Sequence, residues 1–356
     1  MSIVNFLKSN NYSNLFLCFF FFLSIFFKSN QITNDIYLAI QNQIAIDKIS
    51  KNTSQAESEK NINLLENNKY EFFDILIFSP AKSLRENRKL EGFEGGKGRH
   101  QLRWLYKHLE AKVYKAAINL FGENLLSIYT MVQTLYLFFT FFIIFLIVSK
   151  INKNYETKTF VLTGLFFYSL FNLFASVGIQ STYTIPEMFF ISLGIYFALE
   201  RNFFYFIVPL FFATINRESG IALSFVYIIF NHNRITSYIL PLVGSIILII
   251  VNFDLARDLN LYNLNTYLPI KENYFQQKLT FSQISISYLF FMNIFFLLIF
   301  AFLEKLKMPY RKELIMVTIL YTLVAIIGTD ATNVYSLLLM TPSLIVLLSS
   351  LTKIKK

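Results

Sequence analysis

Long apolar blocks separated by short polar connections make up most of the chain after residue 123. The blocks are filled with Phe, Ile, Leu and Val and show no polar face at helical spacing. A membrane-spanning helix needs about 20 apolar residues. The pattern therefore predicts an all-α protein, a polytopic bundle of transmembrane helices with about ten crossings. The predicted crossings are 13–28, 124–149, 159–178, 186–200, 202–214, 219–231, 235–252, 281–303, 313–328 and 334–351.

Two adjacent blocks, 202–214 and 219–231, are unusually short, and "NRES" stands between them. A helix of about 13 residues covers about 20 Å, whereas the hydrocarbon core of a bilayer is about 30 Å thick. The two segments either include flanking residues or form a short helix pair, 202–231, whose tip lies below the membrane surface. In both cases Arg217 and Glu218 are expected near the outer face, either as a solvated pair or as an anion site.

The distribution of Lys and Arg predicts the orientation of the bundle. With the N-terminus inside, alternate threading places thirteen Lys and Arg residues in inside segments and four in short outside connections. Short cytoplasmic loops carry the excess of positive charge in membrane proteins. We therefore expect both termini in the cytoplasm. Since no targeting signal is evident, a bacterial inner membrane fits best.

The threading divides the chain into three parts. Residues 1–28 form the first crossing, 29–123 a long extracytoplasmic loop, and 124–356 a multi-helix domain with a second outside loop at 253–280. Apolar residues recur from Leu102 to Leu120 at three- or four-residue spacing, which predicts an amphipathic helix on the membrane surface. The first block could instead be a cleaved signal peptide, but "FFKSNQITND" after it lacks a small-residue cleavage site.

Composition supports the membrane prediction and excludes several kinds of site. The chain is 55% hydrophobic with a mean hydropathy of +0.49, and its single cysteine, Cys18, allows no intrachain disulfide. The net charge of +10 is explained by residues that flank apolar blocks, so a nucleic-acid partner is not indicated. The three histidines have no ligand spacing, so no metal site is predicted.

The stretch "STYTIPEMFFISLGIYFALERNFFYFIVPLFFATINRESGIAL" resembles a segment of GT-C-type polytopic membrane glycosyltransferases. In related bacterial membrane proteins a short helix pair often ends in an Asn-Arg-Glu-Thr/Ser tip, following a Tyr-x-x-Pro/Asp element. The matching residues here are Asn216 to Ser219 and Tyr183 to Glu187. The resemblance covers about half of the chain. It implies an enzyme that takes a sugar from a polyprenyl-phosphate donor at the extracytoplasmic face and passes it to a saccharide or lipid acceptor.

The resemblance also implies further site residues. The family carries an acidic residue shortly after its first crossing, and Asp35 is the matching residue. Relatives place an arginine ahead of the second crossing, where this chain has Arg103. They often have a charged Glu or Arg before the last crossing, where this chain offers Asp330 and Asn333. At that end the chain therefore departs from the family's pattern, and the resemblance does not identify a residue that contacts the donor phosphate there.

Glycosyl transfer needs a base for the acceptor hydroxyl and positive charge for the departing phosphate. Asp35 as the catalytic base, with Arg217 and Arg103 on the phosphate, would fill these roles from one face of the membrane. Asn216, Glu218, Glu187 and Asp330 would support them. A divalent cation could assist the phosphate, although no cofactor is required by the sequence.

Each assignment has a plainer alternative. Asp35 can mark the polar end of the first helix, and Arg103 can meet lipid headgroups from the surface helix. Glu187 can be a charge that the helix dipole favours in a first turn, and Asp330 can be an ordinary loop residue. Three other functions also stay open: a transporter or flippase, an envelope polysaccharide polymerase or ligase, and a structural membrane subunit.

Overall fold

The computed structural model describes residues 16–34, 125–153, 157–175, 184–251, 308–328 and 338–351, together with residues 116 and 120. Within these ranges the chain is helical and contains no strand, so the all-α prediction is confirmed. The helices are α1 Phe16–Asn34, α2 Leu125–Asn152, α3 Thr157–Ala175, α4 Thr184–Leu199, α5 Phe203–Asn216, α6 Ala222–Phe230, α7 Leu240–Val251, α8 Arg311–Gly328 and α9 Thr341–Leu351. Short 3₁₀ turns, Glu218–Ile221 and Ile235–Ile239, precede α6 and α7.

Helix α4 lies at the centre of the bundle. It is buried along most of its length and packs against α2, α5, α6 and α9. Helices α2 and α4 run parallel, because the ring of Tyr136 lies 5.7 Å from that of Phe189, whereas Lys150 forms an ion pair with Glu200 further along both helices. Buried side chains from every one of the helices α1 to α9 form one apolar core. Helix α7 contributes a single fully buried residue, Leu240.

A tight turn joins α4 to α5. Arg201 adopts a left-handed conformation with φ 55°, and its N–H donates to the carbonyl of Ala198 at 3.1 Å. Asn202 then begins the next helix, because its side-chain oxygen accepts from the N–H of Tyr205 at 3.2 Å. This C-terminal bend followed by an N-terminal cap reverses the chain within three residues, so α4 and α5 pack as antiparallel neighbours.

The remaining pairs follow the same alternation. Helix α6 returns beside α5, with the rings of Phe206 and Tyr227 4.7 Å apart. Helices α8 and α9 are antiparallel, since Thr318 donates to Ser343 at 2.9 Å and Thr322 lies 3.2 Å from the sulfur of Met340. The ring of Tyr310, just before α8, lies 5.8 Å from that of Phe230 at the end of α6. One end of the bundle therefore contains the starts of α2, α4 and α9 and the ends of α5 and α8.

Basic residues gather at the opposite end, which we call the basic end. They lie at the end of α2, at the starts of α3 and α8, and in the α4–α5 and α6–α7 turns: Lys150, Lys153, Lys158, Arg201, Arg234, Arg311 and Lys312. These are residues that the threading of the sequence assigned to the inside. Arg217 lies at the other end, which we call the polar end, as the threading also expects.

Two described helices have the length and hydropathy of a membrane span, Phe16–Asn34 and Ser127–Asn152. Five more apolar helices are shorter than this criterion requires. Large apolar side chains are also exposed on the outside of the bundle, such as Phe204 at 80% and Ile250 at 69%. Water does not favour such surfaces, and a lipid environment does. These features support association with a membrane.

The predicted helix positions agree with the structure to within a few residues over most described segments, but α1 is longer than expected. The sequence predicts an end at residue 28, whereas the helix continues to Asn34. The reason is that polar residues do not end a helix when they bond to its backbone, as Thr33 does by donating to the carbonyl of Ser29 at 2.8 Å. The crossing 281–303, the 253–280 loop and the predicted surface helix, apart from residues 116 and 120, lie outside the described residues.

Candidate functional site

The tip between α5 and α6 is a compact turn. Arg217 leaves the helix in an extended conformation, φ −158° and ψ 147°, while its N–H still donates to the carbonyl of Ala213 at 2.9 Å. The N–H of Gly220 donates to the carbonyl of Arg217 at 2.9 Å. A Cβ atom on Gly220 would lie 2.2 Å from the carbonyl carbon and oxygen of Ala213. Only glycine therefore allows the turn to fold back against α5.

This turn brings Arg217 to Glu187 in the first turn of α4. Nη1 of Arg217 lies 3.5 Å from Oε2 of Glu187, and the side chains are 6% and 0% exposed. The hydroxyl of Ser219 donates to Oε1 of Glu187 at 2.5 Å. We call these three residues the Glu187–Arg217–Ser219 cluster. It is a buried ion pair at the polar end of the bundle, held by two segments that lie far apart in sequence.

The cluster has a clear electrostatic basis. A carboxylate in the first turn of a helix is favoured by the positive N-terminal end of the helix dipole, and Glu187 occupies that position in α4. A buried charge is costly unless an opposite charge and hydrogen bonds compensate it. Arg217 supplies the charge and Ser219 a hydrogen bond. The tip is therefore fixed to α4 by polar contacts.

Further polar side chains are buried toward the polar end. Tyr321 of α8 is fully buried, and the next residue, Thr322, lies 3.2 Å from the sulfur of Met340 just before α9. Thr130 and Gln133, on the first half of α2, are each 2% exposed, and Thr184 at the start of α4 is fully buried. The polar end thus contains hydroxyl, amide, carboxylate and guanidinium groups beneath the surface.

The structure describes only some of the residues predicted for the site. Arg217 and Glu187 are brought together, and Asn216, the last residue of α5, is fully buried. Glu218 begins the 3₁₀ turn, and its side chain lies outside the described part. The predicted base Asp35, the predicted phosphate contact Arg103 and the supporting residue Asp330 also lie outside the described residues.

The sequence did not identify Glu187 as the partner of Arg217. The adjacent Glu218 was expected to hold the guanidinium, since residues 217 and 218 are neighbours in the chain. Glu187 was correctly placed in a first helical turn, but its contact with residue 217 requires the packing of α5 on α4. The polar group on α2 was also missed, although "YTMVQT" interrupts an apolar block and was available as a signal.

A metal site can be assessed from donor chemistry. Within the described ranges, no group of three or more His, Cys, Asp or Glu side chains lies close enough together to hold a metal ion. Divalent cations that act on phosphates prefer carboxylate and other oxygen ligands. In the cluster, Glu187 already contacts an arginine and a serine. Arg217 is thus the cationic group of the described cluster.

What the cluster can do chemically follows from its groups. A guanidinium carries five N–H donors in a planar fork and binds phosphate or carboxylate oxygens well. Glu187 holds that guanidinium at the bundle end and compensates its charge when no other anion is present. Such an arrangement can accept an anionic group and keep the arginine oriented between binding events.

Comparisons of this chain with protein-family models, with curated proteins and with solved structures found no match.

Proposed function

We propose that this protein is a GT-C-like membrane glycosyltransferase that moves a sugar from a polyprenyl-phosphate donor to a cell-envelope acceptor at the extracytoplasmic face. In this proposal about ten crossings span a bacterial inner membrane, and both termini are cytoplasmic. The basic end faces the cytoplasm, because cytoplasmic loops carry the excess of Lys and Arg. The polar end then faces outward, where lipid-linked sugars of the envelope are used.

One observation carries the proposal: Arg217 is buried at the polar end, 3.5 Å from Glu187. Ionisable groups inside membrane helices are costly and usually mark a functional site. An arginine at the tip of a short helix pair is also the feature on which the resemblance to GT-C enzymes rests. The burial of Arg217 and the resemblance to GT-C enzymes therefore both indicate the same residue as part of a functional site.

The proposed chemistry uses residues of the chain alone. The bond between the anomeric carbon and the phosphate oxygen breaks through an oxocarbenium-like state, and the acceptor oxygen forms the new bond to that carbon. The phosphate leaves with the electron pair and is stabilised by Arg217, with Arg103 as a second partner. Asp35 takes the proton of the acceptor hydroxyl.

A transporter or flippase is the second candidate, and one structural feature favours it. Transporters bind polar substrates at interrupted helices and pair ionisable groups inside the bundle. The interruption between α5 and α6, with Glu187 fully buried beside it, has that character. A carrier would move its substrate across the membrane unchanged, whereas the enzyme releases free lipid phosphate.

The deciding experiment is a turnover assay. The full chain is reconstituted in nanodiscs with undecaprenyl phosphate linked to labelled hexoses, pentoses or N-acetylhexosamines, and released undecaprenyl phosphate is measured. We expect turnover with at least one donor, and a decrease of about 100-fold in kcat for Arg217→Gln, because a donor to the leaving phosphate is lost. Arg201→Gln, at the exposed α4–α5 turn, is the matched control and should retain full activity.

The outcomes separate the two functions. Release of lipid phosphate that depends on Arg217 and not on Arg201 supports the enzyme. No release with any donor, together with saturable uptake of solute or lipid into vesicles, rejects it in favour of the carrier. Loss of activity in both arginine variants would reject the special role of the cluster.

A further inference from the structure

Gln133 of α2 is a buried amide in an apolar bundle. It is 2% exposed, and neither its side-chain oxygen nor its nitrogen has a hydrogen-bond partner among the residues that the structure describes. The hydroxyl of Thr130, one turn earlier on α2, is also buried without a partner there. Burying such groups costs free energy when no hydrogen bond replaces water. A leucine at residue 133 would avoid that cost, so the amide needs an explanation.

The packing of α2 on α4 places Gln133 level with the Glu187–Arg217–Ser219 cluster. The two helices are parallel, and Tyr136 of α2 contacts the rings of Phe189 and Phe190 of α4. Gln133 lies almost one turn before Tyr136 on the same side of α2, and Glu187 lies almost one turn before Phe190. Both residues therefore lie at the same height near the polar end.

A second buried polar group lies on α8. The hydroxyl of Tyr321 is fully buried and has no hydrogen-bond partner within the described ranges. The next residue, Thr322, lies 3.2 Å from the sulfur of Met340 just before α9, which places Tyr321 toward the polar end. Helices α2 and α8 thus each carry an unpaired polar side chain at the end of the bundle that contains the charged cluster.

The chemistry of these groups indicates their ligand. An amide offers a donor and an acceptor, and a phenol or hydroxyl can do both, which suits the hydroxyl groups of a sugar. An anion would require donors only. We propose that Gln133, Thr130 and Tyr321 form the subsite for the sugar hydroxyls of the lipid-linked donor, next to Arg217, which binds its phosphate. This inference rests on the proposed function and adds residues that recognise the sugar.

The test compares binding of two lipids to the full chain in nanodiscs: undecaprenyl phosphate alone and undecaprenyl phosphate linked to a hexose. Wild-type protein should bind the hexose-linked lipid more tightly by about tenfold or more, which corresponds to about 1.4 kcal/mol, because the sugar adds hydrogen bonds to buried groups. Gln133→Met should remove most of this difference while binding undecaprenyl phosphate normally. Arg217→Gln should weaken the binding of both lipids.

Two controls make the result specific. Gln133→Leu repeats the test if the methionine variant folds poorly. Ser149→Ala removes a buried hydroxyl on the same helix, α2, that also lacks a partner in the described part but lies near the basic end. It should leave the preference for the hexose-linked lipid unchanged. The Tm of ligand-free Gln133→Met should equal or exceed that of wild type, because an unpaired polar group has been removed.

The inference is overturned if wild-type protein does not prefer the hexose-linked lipid, or if Gln133→Met and Gln133→Leu keep the full preference. It is also overturned if both variants lower Tm and weaken binding of both lipids equally, since Gln133 would then be structural. If the preference is present and lost in the variants but no lipid phosphate is ever released, the sugar subsite stands and the transferase proposal fails. If lipid phosphate is released and its release is unchanged in the Gln133 variants, the transferase proposal stands and the sugar subsite fails.

Discussion

The Glu187–Arg217 pair permits a quantitative prediction about stability. Two unit charges 3.5 Å apart attract each other by about 5 kcal/mol at the effective dielectric constant of about 20 that describes protein sites. Their desolvation offsets much of this attraction, so the net contribution of the pair is small. Removing one partner, however, leaves the other charge buried without compensation. The single and double variants should therefore differ in a characteristic way.

We expect Glu187→Gln and Arg217→Met each to lower the free energy of unfolding by about 3–5 kcal/mol. The double variant Glu187→Gln/Arg217→Met should lose less than either single variant, because no uncompensated charge remains. The coupling free energy between the two positions, which is the sum of the two single losses minus the loss in the double variant, should thus be about 3 kcal/mol or more. The pair Lys150–Glu200, whose side chains are 37% and 39% exposed, is the matched control and should show a coupling below about 1 kcal/mol.

The assay is reversible unfolding of the full chain in mixed micelles with increasing SDS, followed by circular dichroism. All four forms of each pair are measured under one condition so that the coupling can be calculated directly. Strictly additive losses at residues 187 and 217 would refute the reasoning. So would a double variant that is less stable than both single variants, since the two charges would then be stabilised by other groups.

Three further predictions follow from the turns and the ends of the bundle. Gly220→Ala should destabilise by about 3 kcal/mol because its Cβ would meet the α5 backbone at 2.2 Å, whereas Gly244→Ala, with its nearest atoms at 3.7 Å, should be neutral or stabilising in the same SDS titration. Arg201→Gly should stabilise by about 1 kcal/mol relative to Arg201→Ala, because residue 201 has φ 55°; equal stability of the two variants would contradict this. In a Cys18→Ala background, an impermeant maleimide should label Asp35→Cys in intact cells but Lys153→Cys only after permeabilisation; labelling of both from one side would exclude the proposed orientation.

Much of the fold could be predicted from the sequence because it depends on local composition. The apolar blocks predict the helices α2 to α6 to within a few residues, since an apolar segment away from water satisfies its backbone hydrogen bonds most readily as a helix. The grouping of Lys150, Lys153 and Arg234 at one end also follows from the order of the blocks. The prediction was less accurate at α1 and at the start of α7, where side-chain bonds to the backbone and a 3₁₀ turn decide the boundaries.

The site was only partly predictable. Arg217 was identified because a charged residue between two short apolar runs is visible in the sequence alone. Its partner was not, because Glu187 precedes it by a whole helical hairpin and sequence adjacency favoured Glu218. Gln133 was missed for the same reason, since a single amide in an apolar block gives no information about which helix it faces.

The sequence by itself determined the helical class, the approximate lengths of the helices and the separation of a basic end from an end that contains Arg217. Those properties depend on the hydrophobicity and charge of short segments, which can be read from the chain directly. Only the tertiary structure decided that Glu187 meets Arg217 and Ser219, and that the side chains of Gln133 and Tyr321 are buried in the bundle. Such contacts depend on the rotation and register of helices packed against each other. The apolar pattern of an all-round hydrophobic helix does not specify that rotation, because every face is equally suited to burial.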